Sequence, residues 1–270
     1  MDTIGFVGGG NMAEAMIRGI ITAHVYQPVN IYVSDIRAER LKYLAEKYNV
    51  VTLGDNAELA EKVDILVLSV KPQNLIDALQ SVKGRLKRDV LIISIVAGKK
   101  IANISAELGD VAIVRVMPNT PALVDEGASA LFANEKAEHK VDKARLIFLC
   151  IGESLVVDDE DLIDAVTAVS GSGPAYFFLL MDEMIKAGVQ LGLSEDFAKT
   201  LVLQTAKGSA LLAALADKDG EGPAQLSRKV ATPGGTTEAA FKVFADGNFG
   251  PMVTAALTRA CERSHELSAG

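Results

Sequence analysis

Residues 3–20 read TIGFVGGGNMAEAMIRGI, and the fold of the chain can be argued outward from this stretch. A short apolar run precedes three glycines, and the apolar residues after them recur with the spacing of one helix face: Ala13, Met16, Ile17 and Ile20. A strand, a glycine-rich turn and an amphipathic helix in this order match the dinucleotide-binding fingerprint G-x-G-x-x-[GA]. The pattern predicts a dinucleotide site on the first strand of an α/β domain.

The three fingerprint positions have separate roles in this prediction. Gly8 permits a tight turn, Gly10 leaves no Cβ between the backbone and a pyrophosphate, and Ala13 lets the helix pack closely on the strand. The amides and the dipole at the helix N-terminus then face the phosphates. The alternative is a glycine-rich turn without a ligand.

The chain up to residue 160 repeats this alternation of strands and helices. Near-continuous β-branched runs are typical of strands that are buried on both faces of a parallel sheet. Spacing of this kind predicts a Rossmann-type, doubly wound parallel sheet over residues 1–160. The further strands are expected within Ile31–Val33, Asp64–Val70, Val90–Val96 and Val111–Val116, with Ala130–Ala133 and Leu155–Val157 at an edge.

The acidic segment 158–161 separates this pattern from a second half that contains helical patterns and no convincing strand. Ser170–Ala175 begins one helix, with Pro174 near the first turn. Residues 175–191 and 201–215 are apolar around most of their circumference, which is typical of helices buried on several sides. A partner subunit is the expected cover, and a tightly packed monomeric bundle is the alternative. Residues 161–270 are therefore predicted to form an all-α dimerisation domain.

Charge and composition exclude several classes of protein. The 270 residues contain 27 Lys and Arg against 35 Asp and Glu, a net charge of −8, which argues against binding to nucleic acid or to an anionic membrane. Cys150 and Cys261 form no disulfide framework, and the three histidines are too isolated for a metal site. Without a basic N-terminal region or a run of ~18 uncharged apolar residues, a cytoplasmic protein is expected.

The residues at the end of the second strand indicate which dinucleotide, NADH or NADPH, the chain prefers. Asp35 follows Ala13 by 22 positions, and a carboxylate there accepts a hydrogen bond from a ribose 2′-hydroxyl, which favours NAD. Ser34, Arg37 and Arg40 surround it, and an arginine at this place can hold a 2′-phosphate. The segment favours NADPH, with NADH as the open alternative.

Other candidate site residues lie at strand ends and at one helix start. Ser69–Pro72 and Ile95–Gly98 end two neighbouring strands, where open α/β sheets bind ligands. Lys71 is a cation beside the expected nicotinamide, or else a solvated charge. Met117–Pro121 is predicted to form a rigid turn that can line one side of the nicotinamide pocket. The alternative is a turn without a functional role. Thr232–Glu238 offers hydroxyls and amides to a carboxylate, with a plain helix cap as the alternative.

Five segments taken in order resemble the pyrroline-5-carboxylate reductase family, and the resemblance spans the chain. It implies a Rossmann domain joined to a helical domain that interlocks with its twin, in a homodimer or a higher homo-oligomer of dimers. It also implies hydride transfer from NAD(P)H to C5 of 1-pyrroline-5-carboxylate to give L-proline, the last step of proline synthesis. The segments are Gly8–Ala13, Val70–Gln73, Val116–Pro121, Ser170–Ala175 and Thr232–Thr237.

Together with the residue arguments above, the resemblance supplies three sets of site residues: catalytic, substrate-binding and cofactor-binding. Thr237 is expected to fix the substrate through its amide and hydroxyl, and Lys71 to orient cofactor or substrate; these are the catalytic candidates. The substrate set, expected from the neighbouring subunit, is Lys229, Thr232, Gly234, Gly235, Thr236 and Thr237. The cofactor set is Gly8, Gly9, Gly10, Asn11, Met12, Ser34, Asp35, Arg37, Asn56, Ser69, Val70, Lys71, Pro72, Ile95, Val96 and Ala97.

The sequence differs from the family pattern at two places, and two alternative functions compete with the one that the resemblance implies. Residues 34–37 are not the Ser/Asn-Arg-Thr form common in NADPH-preferring members, and Lys229 stands where some members have Asn. A β-hydroxyacid dehydrogenase has a lysine soon after its Gly-Ser-Gly segment. The first lysine after Ser170–Ala175 in this chain is Lys186, which disfavours that class. A non-catalytic, nucleotide-sensing relative is expected to lose the fingerprint or the segment 232–237, and both are present.

Overall fold

The buried β-branched runs form one eight-stranded sheet in the computed structural model, which describes residues 2–269. The strand order is β3-β2-β1-β4-β5-β6-β7-β8, which contains the order 3-2-1-4-5-6 of a doubly wound fold. β7 pairs antiparallel with β6, and the other neighbouring pairs are parallel. The strands are β1 Ile4–Val7, β2 Ile31–Ser34, β3 Val51–Leu53, β4 Ile65–Leu68, β5 Leu91–Ser94, β6 Ala112–Met117, β7 Gly127–Ala133 and β8 Gly152–Val156.

Twelve α-helices occur within residues 2–269, and a single π-helical turn, Thr167–Gly171, separates the seventh from the eighth. The first six connect strands, and the last six follow the sheet. The helices are α1 Asn11–Thr22, α2 Ala38–Tyr48, α3 Asn56–Lys62, α4 Leu75–Val82, α5 Ile101–Leu108, α6 Val141–Leu149, α7 Leu162–Val166, α8 Gly173–Gln190, α9 Glu195–Asp217, α10 Pro223–Val230, α11 Thr236–Asp246 and α12 Phe249–Ala269.

Successive residues of a strand point to opposite faces of the sheet. Because both sets of side chains are apolar here, helices cover both faces. Phe6 of β1 packs in a core with Met16 and Phe148 on one face. The next residue, Val7, packs with Leu66 and other apolar side chains on the opposite face. All five of these residues are at most 1% exposed, which is typical of a sheet buried on both faces.

Backbone packing divides the chain into two units: residues up to 174 together with those from 260 onward, and residues 175–259. The first unit contains the sheet. The second contains helices that carry many exposed apolar side chains, among them Phe177, Phe178 and Leu211. The predicted domain boundary between residues 160 and 161 stays a prediction.

The structure adds features that the sequence patterns did not indicate. β3 is a three-residue strand in a segment without a predicted strand, and the antiparallel direction of β7 was not predicted. The π-helical turn at Thr167–Gly171 immediately precedes α8, in which Pro174 occupies the second position as expected. π-helical turns inside helices are often found at functional sites.

Glu14, in the first turn of α1, is the centre of a polar cluster between α1 and α2. Its carboxylate accepts hydrogen bonds from Arg40 (2.5 Å), Lys47 (3.0 Å), Tyr43 (3.1 Å) and Tyr48 (2.8 Å). Burial disfavours the ionised form, but the bonds from Arg40, Lys47 and Tyr48 outweigh it and lower the pKa of Glu14 from 4.5 to about 2. The cluster therefore fastens α2 to the helix that follows the glycine turn.

Glu14→Gln is expected to lower the free energy of unfolding by about 2 kcal/mol at pH 7, because charge-assisted hydrogen bonds are lost. The folded-state pKa is depressed, so this contribution is present above pH 4.5 and disappears as the pH falls toward 2. Urea unfolding at pH 7 and pH 3 should show a difference from wild type that shrinks by more than half. Exposed Glu39 is the matched control, and Glu39→Gln should change stability by less than about 0.5 kcal/mol. A pH-independent difference for Glu14→Gln would contradict the prediction.

Candidate active site

The loops after β1, β2, β4 and β5 emerge side by side at one edge of the sheet. The register pairs Val7 with Ser34 on one side and with Leu68 on the other, and Leu68 with Ser94. Each of these four residues ends its strand. The glycine turn and the segments 69–72 and 95–97, predicted separately along the chain, therefore begin at one edge of the sheet, the carboxyl edge of its parallel strands.

The glycine turn is held against the end of β4. Gly8 has φ +99°, and a Cβ at this position would lie 2.7 Å from the carbonyl oxygen of Ser69. The Ser69 hydroxyl donates to the carbonyl of Gly8 (2.7 Å) and lies within hydrogen-bond distance of that of Val7 (3.1 Å). Backbone conformation and close contact both require glycine at position 8.

The N-terminus of α1 suits an anionic group. Its cap residue, Gly10, has no side chain, and the first helical hydrogen bond runs from the Glu14 amide to the Gly10 carbonyl. The amides of residues 11–13 precede that bond and are directed outward. A Cβ on Gly10 would meet nothing within 4 Å, so the space beside these amides is open. These features fit the pyrophosphate of a dinucleotide.

Asp35 and Arg37 form an ion pair directly beside the glycine turn. One carboxylate oxygen of Asp35 accepts from the Gly9 amide (2.9 Å), and the Arg37 guanidinium donates to both oxygens at 3.0 Å. Partial burial disfavours ionisation of Asp35, but the bonds from Arg37 and from the Gly9 amide hold its pKa below the ordinary value. Both oxygens are engaged, while the Arg37 side chain is 60% exposed.

Arg40, the other arginine near Asp35, is bonded to the glycine turn itself, and its suggested role toward a 2′-phosphate stays a prediction. Its guanidinium donates to the carbonyls of Gly9 and Gly10 and to the Glu14 carboxylate, and the side chain is only 17% exposed. Because α2 packs beside the glycine turn, a residue on its first turn reaches the turn backbone. Arg37, which precedes the helix, is left as the exposed cation.

Other predicted cofactor residues differ in accessibility. Ser34 is 1% exposed, and its hydroxyl is 3.4 Å from the carbonyl of Phe6. The Asn56 amide nitrogen donates to the Ser81 hydroxyl (3.0 Å). Ile95 is half-buried and Val96 is buried, whereas Ala97 is exposed in the turn after β5. Asn11, Met12, Val70 and Pro72 lie at least partly exposed at the same edge. Their roles stay predictions.

Lys71 follows β4 and lies at the cap of the short 3₁₀ turn Pro72–Asn74. The residue is exposed and makes no salt bridge within residues 2–269. An unpaired ammonium at this edge can meet an anionic or carbonyl group of a ligand. Its catalytic role stays a prediction.

The predicted substrate segment forms a turn before α11 in the second unit. The Gly235 amide donates to the Thr232 carbonyl (2.9 Å), and a Cβ on Gly235 would lie 2.5 Å from the Thr232 hydroxyl oxygen. Gly234 has φ +72°. Thr236 and Thr237 begin α11, where amides lack helical acceptors, so this turn also suits a carboxylate.

Two acidic side chains contact predicted substrate residues, and sequence reasoning gave neither of them a role. The Glu238 carboxylate accepts from the Gly234 amide (2.7 Å), and an acid three residues after a helix cap is the signal that could have indicated it. Lys229, predicted to contact the substrate, pairs with Glu221 at 2.5 Å and is 68% exposed. Glu221 lies before α10, and no local pattern connects it with Lys229.

Asn119 links two segments that the sequence singled out independently. Its amide nitrogen donates to the Ser170 carbonyl (3.1 Å), and its oxygen accepts from the Ala128 amide (2.8 Å). A Cβ on Gly171 would lie 2.5 Å from the terminal methyl of Met117. The turn 117–121 is therefore held against the π-helical turn before α8.

These features define the class of the protein as an α/β protein with a doubly wound sheet, a glycine turn suited to a dinucleotide and a helical second half. Within residues 2–269 no group of three His, Cys, Asp or Glu side chains is placed to hold a metal ion. A family profile described as pyrroline-5-carboxylate reductase dimerisation matches residues 160–267. A second, described as NADP oxidoreductase coenzyme F420-dependent, matches residues 3–98.

The chain belongs to the pyrroline-5-carboxylate reductase family. The pyrroline-5-carboxylate reductase of Pseudomonas aeruginosa is 45% identical over 267 residues, covering 98% of this chain and 96% of that protein. The solved structure of the Coxiella burnetii enzyme has a TM-score of 0.92 at 39% identity, over 99% of this chain and 98% of the other. A Plasmodium falciparum pyrroline carboxylate reductase with NADP bound has a TM-score of 0.86 at 32% identity, covering 99% and 98%.

The exposed apolar helices lie within the part of the chain that matches the dimerisation profile. Residues Leu162–Gln190 are long and apolar enough, by length and composition alone, to cross a membrane, and only 22% of the most apolar window is buried. This stretch lies within the match to the dimerisation profile. The match is consistent with the prediction that a partner subunit covers this apolar surface. The expected absence of a membrane helix stays a prediction.

Proposed function

We propose that this chain reduces the C=N bond of 1-pyrroline-5-carboxylate to give L-proline, with NADPH as the preferred reductant. The observation that carries the proposal is family membership over the full chain, joined to a glycine turn that is open for a dinucleotide at Gly10. The exposed Arg37 supports NADPH over NADH, because a guanidinium matches the geometry and charge of a 2′-phosphate.

In this proposal the cofactor edge binds and orients. The amides of residues 11–13 hold the pyrophosphate, and Arg37 holds the 2′-phosphate. The segments 69–72 and 95–97 line the nicotinamide end, where Lys71 orients the bound groups. The bound, reduced nicotinamide supplies a hydride. The protein's task at this edge is to fix the direction of that hydride toward the substrate.

The substrate turn needs to hold a carboxylate and a ring nitrogen. The amides of Thr236 and Thr237 hold the carboxylate, and the Thr237 hydroxyl lies near the ring nitrogen. A protonated cyclic imine is already electrophilic at C5, so adding a hydride there completes the amine without a further proton. The site therefore needs no general acid, and alignment supplies much of the acceleration.

Assembly and location form a separate proposal. The dimerisation domain supports a homodimer, with the substrate turn supplied by the neighbouring subunit and a higher homo-oligomer of dimers as its extension. Domains 1–160 and 161–270 are the proposed functional division. The net charge of −8 supports an enzyme that does not bind nucleic acid or anionic membranes, and a cytoplasmic location is part of the same proposal. Light scattering of the purified protein measures the oligomer size.

The test is loss of reduced-nicotinamide absorbance when purified protein is mixed with 1-pyrroline-5-carboxylate and either NADPH or NADH. Turnover that requires the imine and is faster with NADPH supports the proposal. Tight NADPH binding without turnover would identify a nucleotide-sensing relative instead. Higher kcat/KM with NADH would support the reaction and overturn the cofactor preference.

A further inference from the structure

We infer that Glu160, in the acidic segment between β8 and α7, is a positioning residue for the cofactor loop after β5. The inference rests on the proposed function, because it concerns the loop 95–100 that lines the nicotinamide end. It starts from Arg115 on β6, which is 3% exposed and therefore carries a buried charge. A buried guanidinium is stabilised by a hydrogen-bonded acid, and Arg115 donates to Glu160 at 2.9 Å.

The same oxygen of Glu160 has a second donor. Oε1 also accepts from the backbone amide of Ile101 at 2.8 Å, and the Glu160 side chain is only 18% exposed. Ile101 is the first residue of α5, directly after the loop 95–100. The buried Arg115 thus fixes Glu160, and Glu160 fixes the residue at which the loop ends.

The other parts of the loop are held as well. The Ile95 amide donates to the Leu68 carbonyl (3.1 Å), which continues the sheet ladder into the start of the loop. Gly98, with φ +66°, lies against Leu267 of α12. Lys100 pairs with Asp161 at 2.7 Å, next to Glu160. The Lys100–Asp161 pair is more exposed than the Arg115–Glu160 pair. Glu160 is therefore the buried side chain that holds the C-terminal end of the loop 95–100.

This arrangement has a consequence for catalysis that a purely stabilising ion pair lacks. Hydride transfer depends steeply on alignment, and a displacement of about 1 Å can cost about 100-fold in rate. A loop loosened at Ile101 would leave most cofactor contacts intact while misaligning the nicotinamide end. Loss of the Glu160 acceptor should therefore lower kcat more than it raises KM for NADPH.

Two double variants separate positioning from charge burial. Arg115→Met with Glu160→Gln removes both charges and keeps an amide oxygen for Ile101, whereas Arg115→Met with Glu160→Leu removes both charges and the acceptor. Replacing a buried ion pair by uncharged side chains is often neutral for stability, so both variants should fold. The Gln variant should keep kcat within about threefold of wild type, and the Leu variant should lose about tenfold.

Hydrogen exchange of the loop amides 96–100 gives a readout that is independent of turnover. Exchange should accelerate in the Leu variant and stay near wild type in the Gln variant. Asp161→Asn, which removes the exposed partner of Lys100, is the control and should change neither kcat nor exchange by more than about twofold.

Equal kcat and equal loop exchange in the two double variants would overturn the inference. A loss of kcat shared by both would assign the effect to the Arg115 charge and would overturn it too. If the wild-type protein fails to reduce 1-pyrroline-5-carboxylate, the proposed function fails, and the exchange comparison still decides whether Glu160 holds the loop.

Discussion

Arg37→Ala is expected to lower kcat/KM for NADPH by about 30-fold and to leave kcat/KM for NADH within about threefold of wild type. Arg37 is the exposed guanidinium proposed to hold the 2′-phosphate, and its two bonds to Asp35 keep it beside the glycine turn. Its loss removes charge-assisted bonds that only the 2′-phosphate can make. Initial rates with both cofactors at saturating imine measure the ratio.

The contrast with NADH makes this prediction specific. Lys42→Ala, on the exposed face of α2, removes a cation without touching the site and should leave the cofactor ratio unchanged. Asp35→Asn keeps an oxygen for the Gly9 amide but loosens Arg37, so it should weaken NADPH use less than Arg37→Ala. Equal losses of kcat/KM with NADPH and NADH in Arg37→Ala would mean that Arg37 stabilises the glycine turn and does not bind the 2′-phosphate.

The sheet shows which parts of the fold a local pattern can predict. β1, β2, β4, β5 and β6 were predicted from runs that are apolar on both faces, because burial on both faces removes polar residues locally. β3 is only three residues long and half-buried, so its composition does not separate it from a loop. The reversed direction of β7 was not predictable, since strand composition does not encode the direction of the partner strand.

The site residues also differ in how far they can be predicted from the sequence, because some depend on contiguous residues and others on contacts between distant segments. The glycine turn was predicted because its strand, turn and helix are contiguous. The choice between Arg37 and Arg40 depends on where α2 begins relative to that turn, which the local spacing left open. Glu160 was missed because its two partners, Arg115 and Ile101, come from distant parts of the sequence.

Thr237→Ala is expected to lower kcat/KM for 1-pyrroline-5-carboxylate by about 30-fold while leaving the affinity for NADPH unchanged. The substitution removes the hydroxyl proposed to lie near the ring nitrogen and keeps the backbone amide at the start of α11. Thr237→Ser should restore most of the activity, since it returns the hydroxyl. Initial rates over a range of imine concentrations, with NADPH binding measured separately by titration, provide the comparison.

Thr236→Ala is the matched control, because it removes a neighbouring hydroxyl from the same helix turn. Thr236 is exposed whereas Thr237 is half-buried, so the smaller loss is expected at Thr236. Losses of equal size at both positions would indicate a weakened helix start and not a directed hydroxyl. Unchanged kcat/KM in Thr237→Ala would remove the hydroxyl from the mechanism and leave substrate binding to the backbone amides, which side-chain substitution cannot delete.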